Sequence, residues 1–168
     1  MNHFLDSDIS EIVKNTKKIS KYFSGKNVII TGGNGFLGKY LVEIFSKYNY
    51  FLNKPVKVFV YDTTIDKVNL SNSKNIKFIK KDVSKKFNIN KKIDIIIHAA
   101  GIASPFYYRK KPIETLDVAI NGTRNLLEYA KRQKAKFIFF SSSEIYGDPD
   151  QLNVPTKETY RGNVSSMG

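Results

Sequence analysis

The stretch NVIITGGNGFLGKYL, residues 27–41, decides how the rest of the chain is read. Its first five residues, Asn27–Thr31, form a short β-branched apolar run, the pattern of a strand. Three glycines follow at intervals of three, Gly32, Gly35 and Gly38. From Phe36 the apolar residues recur at helical spacing, at Phe36, Leu37, Leu41, Ile44 and Phe45. A glycine pattern alone is weak evidence. Here it sits between a strand and a helix, and an acidic residue, Asp62, ends the next strand, which is the context of a dinucleotide site. Gly32 permits a tight turn, Gly35 lets a pyrophosphate approach the backbone, and Gly38 lets helix and sheet pack closely. The helix then offers free N–H groups and a positive dipole end to the phosphates. The bland alternative is a glycine turn with no ligand.

Outward from this stretch, strands and helices alternate. Residues 56–62 (VKVFVYD), 76–82 (IKFIKKD), 93–100 (IDIIIHAA) and 136–141 (KFIFFS) read as further strands. Residues 112–132 read as one long helix with proline in its first turn. The alternation predicts an α/β fold, a doubly wound parallel sheet with right-handed crossovers. Ahead of it, residues 8–23 have an amphipathic pattern, with Ile9, Ile12, Val13, Ile19 and Phe23 on one face and a capping-box-like start at Asp8 and Glu11. The expected organisation is an N-terminal helical extension over residues 1–24 and a dinucleotide-binding domain over residues 25–168. A carboxylate at Asp62 can accept from the adenosine ribose hydroxyls and would repel a 2′-phosphate, which favours NAD over NADP. Asp82 ends the third strand within reach of an adenine; a turn or helix cap in KDVS is its alternative role.

With 168 residues and 41% hydrophobic content, the chain can fold as one domain or as part of a larger one. It has no apolar run that would span a bilayer and no secretory pattern in MNHFLDSDIS, so a cytoplasmic protein without a membrane partner is expected. The absence of cysteine excludes disulfides and thiolate metal sites, and no metal is expected. A net charge of +13 points to polyanions. The lysines, however, are scattered among asparagine and isoleucine, as in an AT-rich coding sequence, and read as solvated surface. No zinc-finger spacing, RNA-binding signature or helix-turn-helix pattern occurs, so no nucleic-acid partner is expected.

TGGNGFLG, HAAG (98–101), NGTRNLLEYAK (121–131) and FSSSEIYGDP (140–149) together resemble the extended short-chain dehydrogenase/reductases of the NAD-dependent epimerase/dehydratase family, which act on nucleotide sugars. The resemblance runs from about residue 26 to the end. It implies a Rossmann domain holding NAD, a smaller C-terminal domain for a nucleotide-sugar substrate, a Ser/Thr–Tyr–Lys set at the sugar C4, and a homodimer paired through helices like residues 112–132. It implies cofactor contacts at Gly32, Gly35, Phe36, Leu37, Gly38, Asp62, Asp82, Val83, Ala99 and Ala100. Catalytic roles fall on Ser142, at the C4 oxygen, and on Ser143 and Glu144, at the C5–C6 end. The 4,6-dehydratases carry Thr-Asp-Glu at these three positions; Ser142-Ser143-Glu144 is similar to the UDP-glucuronate decarboxylases. A second carboxylate beside a glucuronate would repel it or be forced to take a proton, whereas a serine can donate a hydrogen bond. ASPFYYRKKP (103–112), with Tyr108 as a substrate contact, and residues 147–164, ending in Glu-x-Tyr-x-Gly-x-Val, resemble the decarboxylases too. Loop packing is the alternative role for Tyr107 and Tyr108.

Two departures stand out. Ala119 replaces an asparagine three residues before the glycine of GT, and HAAGIASP replaces the more typical HLASPASP. The Tyr-x-x-x-Lys pair is not found: neither Tyr146 nor Tyr160 has a lysine four residues on. The expectation is an N-terminal part of a longer enzyme, inactive by itself. The expected activity of the intact protein is UDP-glucuronate decarboxylation, with a 4,6-dehydratase or 4-epimerase as the alternative. A dinucleotide-binding fragment without turnover is the alternative of another class.

Overall fold

A computed structural model describes residues 6–65 and 73–163. Residues 1–5 of the expected extension and Val164 of the Glu-x-Tyr-x-Gly-x-Val stretch lie outside the described residues. Five strands, β1 (Asn27–Thr31), β2 (Lys57–Asp62), β3 (Ile76–Lys80), β4 (Ile95–His98) and β5 (Lys136–Phe139), form one parallel sheet in the order β3-β2-β1-β4-β5. The chain moves one way from β1 to β3, then returns to the other side of β1 for β4 and β5. Strand order therefore reverses between β1 and β4, which opens a crevice at their C-terminal ends.

The strands read as continuous apolar runs because both faces of the sheet are covered. Val28, Ile30, Val58, Val60, Ile95 and Ile97 face helix α2 (Phe36–Tyr48), packing with Val42, Phe45 and Tyr48. The alternate residues Ile29, Phe59, Tyr61 and Ile96 face the opposite way, onto Leu126, Tyr129 and Ala130. Each fully buried side chain of this size is worth about 1.5–3 kcal/mol. The edges differ from the centre: β3 and β5 are largely half-buried or exposed, and Ile138 and Phe139 of β5 are open to solvent.

Helix α1 (Asp6–Ser20) packs on α2. Ile9 is buried and Val13 joins the core, but Ile19 is exposed and takes no part in it. Phe23, on a 3-10 turn after α1, meets the Phe45 ring edge-on with centroids 4.9 Å apart. The capping-box expectation is corrected: Asp8 lies inside the helix, and its carboxylate accepts from Tyr40 Oη at 3.1 Å. A second tie joins the helices, Tyr48 Oη donating to Thr16 Oγ1 at 2.6 Å. On α2, Phe36 and Leu37 do not join the apolar face; both are exposed, and Val42, Phe45 and Tyr48 carry the packing instead.

The expected long helix is not uniform. Pro105–Lys110 forms a short helix α3 where a loop was expected. The long segment itself runs as α4 (Pro112–Asp117), a π-helical turn (Val118–Gly122) and α5 (Thr123–Gln133). The π turn takes up one residue more than an α-helical turn, and such turns collect at functional sites.

Two polar residues end the central strands inside the core. Thr31 and His98 are paired in register, 0% and 1% exposed, with Oγ1 of Thr31 2.7 Å from Nδ1 of His98. Burial lowers the His98 pKa from 6.5 to about 4. Unfolding therefore takes up a proton between these values. The stability that comes from keeping His98 neutral is complete above pH 6.5 and is lost as the pH falls toward 4. Between pH 7 and pH 5 the protein should lose about 2 kcal/mol more stability than a His98→Phe variant, read from urea unfolding at each pH. Ile9→Ala should cost about 2–4 kcal/mol in the same assay, since α1 shares the core; a loss of only a few tenths would mark α1 as a separate appendage.

Candidate functional site

The crevice is built on close backbone approach. Gly32 follows β1 with φ +70°, a left-handed conformation open mainly to glycine. A Cβ there would stand 2.7 Å from Ala100 Cα and from Ala99 O, so the turn after β1 lies directly against the turn after β4. At Gly38 a Cβ would stand 2.0 Å from Gly32 O, which seats the first turn of α2 on the loop. Gly33, which the glycine spacing does not single out, is equally constrained by Val60, whose Cγ1 would be 2.1 Å away. Gly35 is the N-cap of α2 and has no side chain to satisfy the first turn. The N–H groups of Phe36 and Leu37 belong to that turn and have no partner within the helix, while both side chains point outward.

A cleft of about 310 Å³ opens beside this loop. Its lining brings together Gly32, Gly35, Asp62, Asp82, Val83, Ala99 and Ala100, seven of the expected cofactor residues. Glu114, Asp117 and Val118, from α4 and the start of the π turn, form the facing wall. Asp62 is held in place: Oδ2 accepts from Asn34 N at 2.9 Å, and Oδ1 from Thr64 N at 3.0 Å and Thr64 Oγ1 at 3.2 Å. Asn34 Oδ1 is buried beside it with no hydrogen-bond partner. Asp82 accepts from Ser84 N and Oγ at 2.9 and 2.7 Å, the turn role named as its alternative. Tyr61, also in the lining, has its hydroxyl pKa pushed up to about 12 by burial. The cleft fits a dinucleotide on these grounds. Glycine backbone and the unpartnered N–H groups of a helix end suit a pyrophosphate. The ordered carboxylate of Asp62 suits a ribose diol, and Asp62, Asp82, Glu114 and Asp117 outnumber Lys81 and Lys85 around the cleft, which disfavours an added phosphate.

Two residues with long-range contacts near the cleft escaped the sequence reading. Asn125 on α5 donates through Nδ2 to the carbonyls of Val83, Ser84 and Lys85 at 2.9, 3.3 and 3.1 Å, pinning the loop that carries Asp82 and Val83. The signal available was an amide on the inward side of an amphipathic helix. His98 was the other, a lone histidine closing an apolar strand.

The serine run leaves β5 on the same sheet edge. Phe140 N donates to His98 O at 3.0 Å, continuing the β4–β5 pairing, and Ser142 follows in extended conformation. Ser142 Oγ accepts from Glu144 N at 3.3 Å and caps a 3-10 turn, Ser143–Tyr146. Ser142, Ser143 and Glu144 are all exposed and lie outside the 310 Å³ cleft, one strand over from Ala99 and Ala100. Tyr108 sits on α3, exposed and also outside the cleft. Among the described residues no three metal-ligating side chains cluster, and no helix is long and apolar enough to cross a membrane.

The sequence pattern of the NAD dependent epimerase/dehydratase family matches residues 28–166. UDP-glucuronic acid decarboxylase 1 of Arabidopsis thaliana is 36% identical over 146 residues, covering 84% of this chain and 31% of that protein. UDP-glucuronic acid decarboxylase 4 of the same plant is 38% identical over 146 residues, with the same coverage of 84% and 31%. Among solved structures, UDP-N-acetylglucosamine 4-epimerase from Methanobrevibacter ruminantium M1, in complex with UDP-N-acetylmuramic acid, superposes with a TM-score of 0.67 at 27% identity. That match covers 83% of this chain and 44% of the epimerase. The chain spans about a third of the length of these two curated relatives. The chain belongs to the NAD dependent epimerase/dehydratase family, and NAD is its cofactor.

Proposed function

We propose that the full-length protein is a UDP-glucuronate decarboxylase, the activity named for relatives 36–38% identical to this chain. The observation that carries the reading is the triplet Ser142-Ser143-Glu144 at the exit of β5, with serine where a dehydratase has aspartate. NAD supplies reversible oxidation at the sugar C4, and a ketone there lies β to the C5 carboxylate, which favours loss of CO₂. Ser142 holds the C4 oxygen. Its Oγ accepts from Glu144 N, so its own hydrogen is available to the substrate. Ser143 donates to the substrate carboxylate without adding a negative charge beside it. Glu144 faces the C5–C6 end, where the enolate left by loss of CO₂ takes up a proton at C5 before the ketone is reduced again. The first turn of α2 binds the pyrophosphate, Asp62 orients the adenosine ribose, and Asn125 keeps the Val83 loop in place for the adenine. Proton transfer at C4 is assigned to no residue of this chain, because Tyr146 and Tyr160 lack the accompanying lysine. The alternative is a 4-epimerase or 4,6-dehydratase, favoured by the epimerase structure at 27% identity.

The same reading makes the protein a homodimer. Ile113, Leu116, Ile120 and Leu127 are exposed along α4, the π turn and α5, an apolar stripe suited to a second copy of these helices. Ile120→Glu should convert the dimer to monomer in sedimentation velocity without lowering the melting temperature of the monomer.

Incubation with UDP-glucuronate and NAD, followed by mass spectrometry of the nucleotide sugar, should register loss of CO₂. Unreacted UDP-glucuronate, with turnover of neutral hexose nucleotides, would give the reaction to the epimerase or dehydratase reading. Asp62→Ala should weaken NAD binding roughly ten- to a hundredfold, the range for a hydrogen bond to a charged group, and narrow the preference over NADP.

A further inference from the structure

A buried polar chain crosses the sheet beneath the cleft and has no part in the contacts assigned above. Thr31 and His98 end the neighbouring strands β1 and β4 in register. Ala100 N donates to Thr31 Oγ1 at 3.2 Å. Thr31 Oγ1 lies 2.7 Å from His98 Nδ1, and His98 Nε2 lies 3.1 Å from Thr123 Oγ1 at the start of α5. None of the three side chains lines the cleft.

The direction of this chain follows from its hydrogens. A threonine hydroxyl has one hydrogen and two lone pairs. Thr31 accepts from Ala100, so its hydrogen is free to go to Nδ1, and an imidazole protonated on Nε2 then donates to Thr123. In this sense the three hydrogens between Ala100 and Thr123 each have an acceptor. With the proton on Nδ1 instead, the Thr31 hydrogen would be left in the core without one, a costly arrangement for a fully buried group. Burial keeps the ring in the neutral state that the chain requires.

The two ends of the chain matter for the site. At one end, Ala100 and Gly32 form the cleft floor, packed so closely that a Cβ on Gly32 would stand 2.7 Å from Ala100 N. At the other end, Thr123 directly follows the π turn whose Val118 lines the opposing wall. We propose that His98 is a positioning residue for cofactor binding, linking the floor of the dinucleotide cleft to its wall through Thr31 and Thr123.

The test is NAD affinity measured by calorimetry on the full-length protein and on matched variants. Thr31→Val, His98→Phe and Thr123→Val keep shape but remove a link, and each should raise the Kd roughly three- to tenfold. Thr31→Ser and Thr123→Ser keep the hydroxyl and should bind within about twofold of the parent, which a loss through packing alone would not produce. The double variant Thr31→Val/His98→Phe should bind no more weakly than the weaker single variant, since each alone already breaks the chain at the Thr31–His98 contact. Thr123 is only half buried, so its pair of variants remains informative even if the core substitutions fail to fold. Valine variants that bind NAD as the parent does, or serine variants no better than valine at the same position, would overturn the assignment.

Discussion

The contact between the start of α2 and the loop after β1 sets the terms for the rest of the molecule. The two backbones meet at Gly32 and Gly38 at a separation that leaves no room for a methyl group. That contact aims the helix axis at the crevice and brings its unsatisfied N–H groups to the mouth of the sheet. It also dictates what lies around it. Val60 must present its methyl groups where Gly33 has none, and Asp62 reaches Asn34 N because the loop is pressed down upon β2. The ordered Asp62 carboxylate and the acidic residues of α4 then stand on the same cleft as the helix start. The chain as a whole is strongly basic, yet carboxylates outnumber lysines around its cleft. Global charge and local selectivity are separate properties here.

Much of this was legible in the sequence because the central strands are buried on both faces. Asn27–Thr31 and Ile95–His98 have no polar side to confuse the pattern, and the sheet has the expected parallel, doubly wound form. Strand ends were less legible. Residues 81–82, 99–100 and 140–141 continue the apolar or extended pattern, but each strand ends before them, and only Lys81, Ala99 and Phe140 still donate to the neighbouring strand as the chain turns into the crevice. Ile19, Phe36 and Leu37 were misplaced for a related reason: helical periodicity gives an apolar arc, and tertiary packing decides which part of that arc is covered. Asp8 has the composition of a cap but serves as a tie to Tyr40, which only the neighbouring helix reveals.

The site divides in the same way. Residues whose role is backbone geometry, such as Gly32 and Gly38, announce themselves by spacing. Residues that act through distant partners do not. Asn125 reaches carbonyls some 40 positions away in the chain, and His98 meets Thr31 from 67 positions away, so neither contact has a local signature. The serine run falls between these cases. Its motif is recognisable, but its side chains stand exposed beside the cleft and not within it.

The π turn between α4 and α5 has a consequence in angular phase. An α-helix advances about 100° per residue, so one residue absorbed into a wider turn rotates everything before it relative to everything after. Asp117 and Val118 look into the cleft while Leu126, Tyr129 and Ala130 look into the core, and the offset accommodates both demands on one continuous rod. Removal of a single residue from 118–122 would restore a regular helix and swing one of these two faces out of alignment. The segment is therefore unusually sensitive to length, and its residue count carries as much information as its residue types.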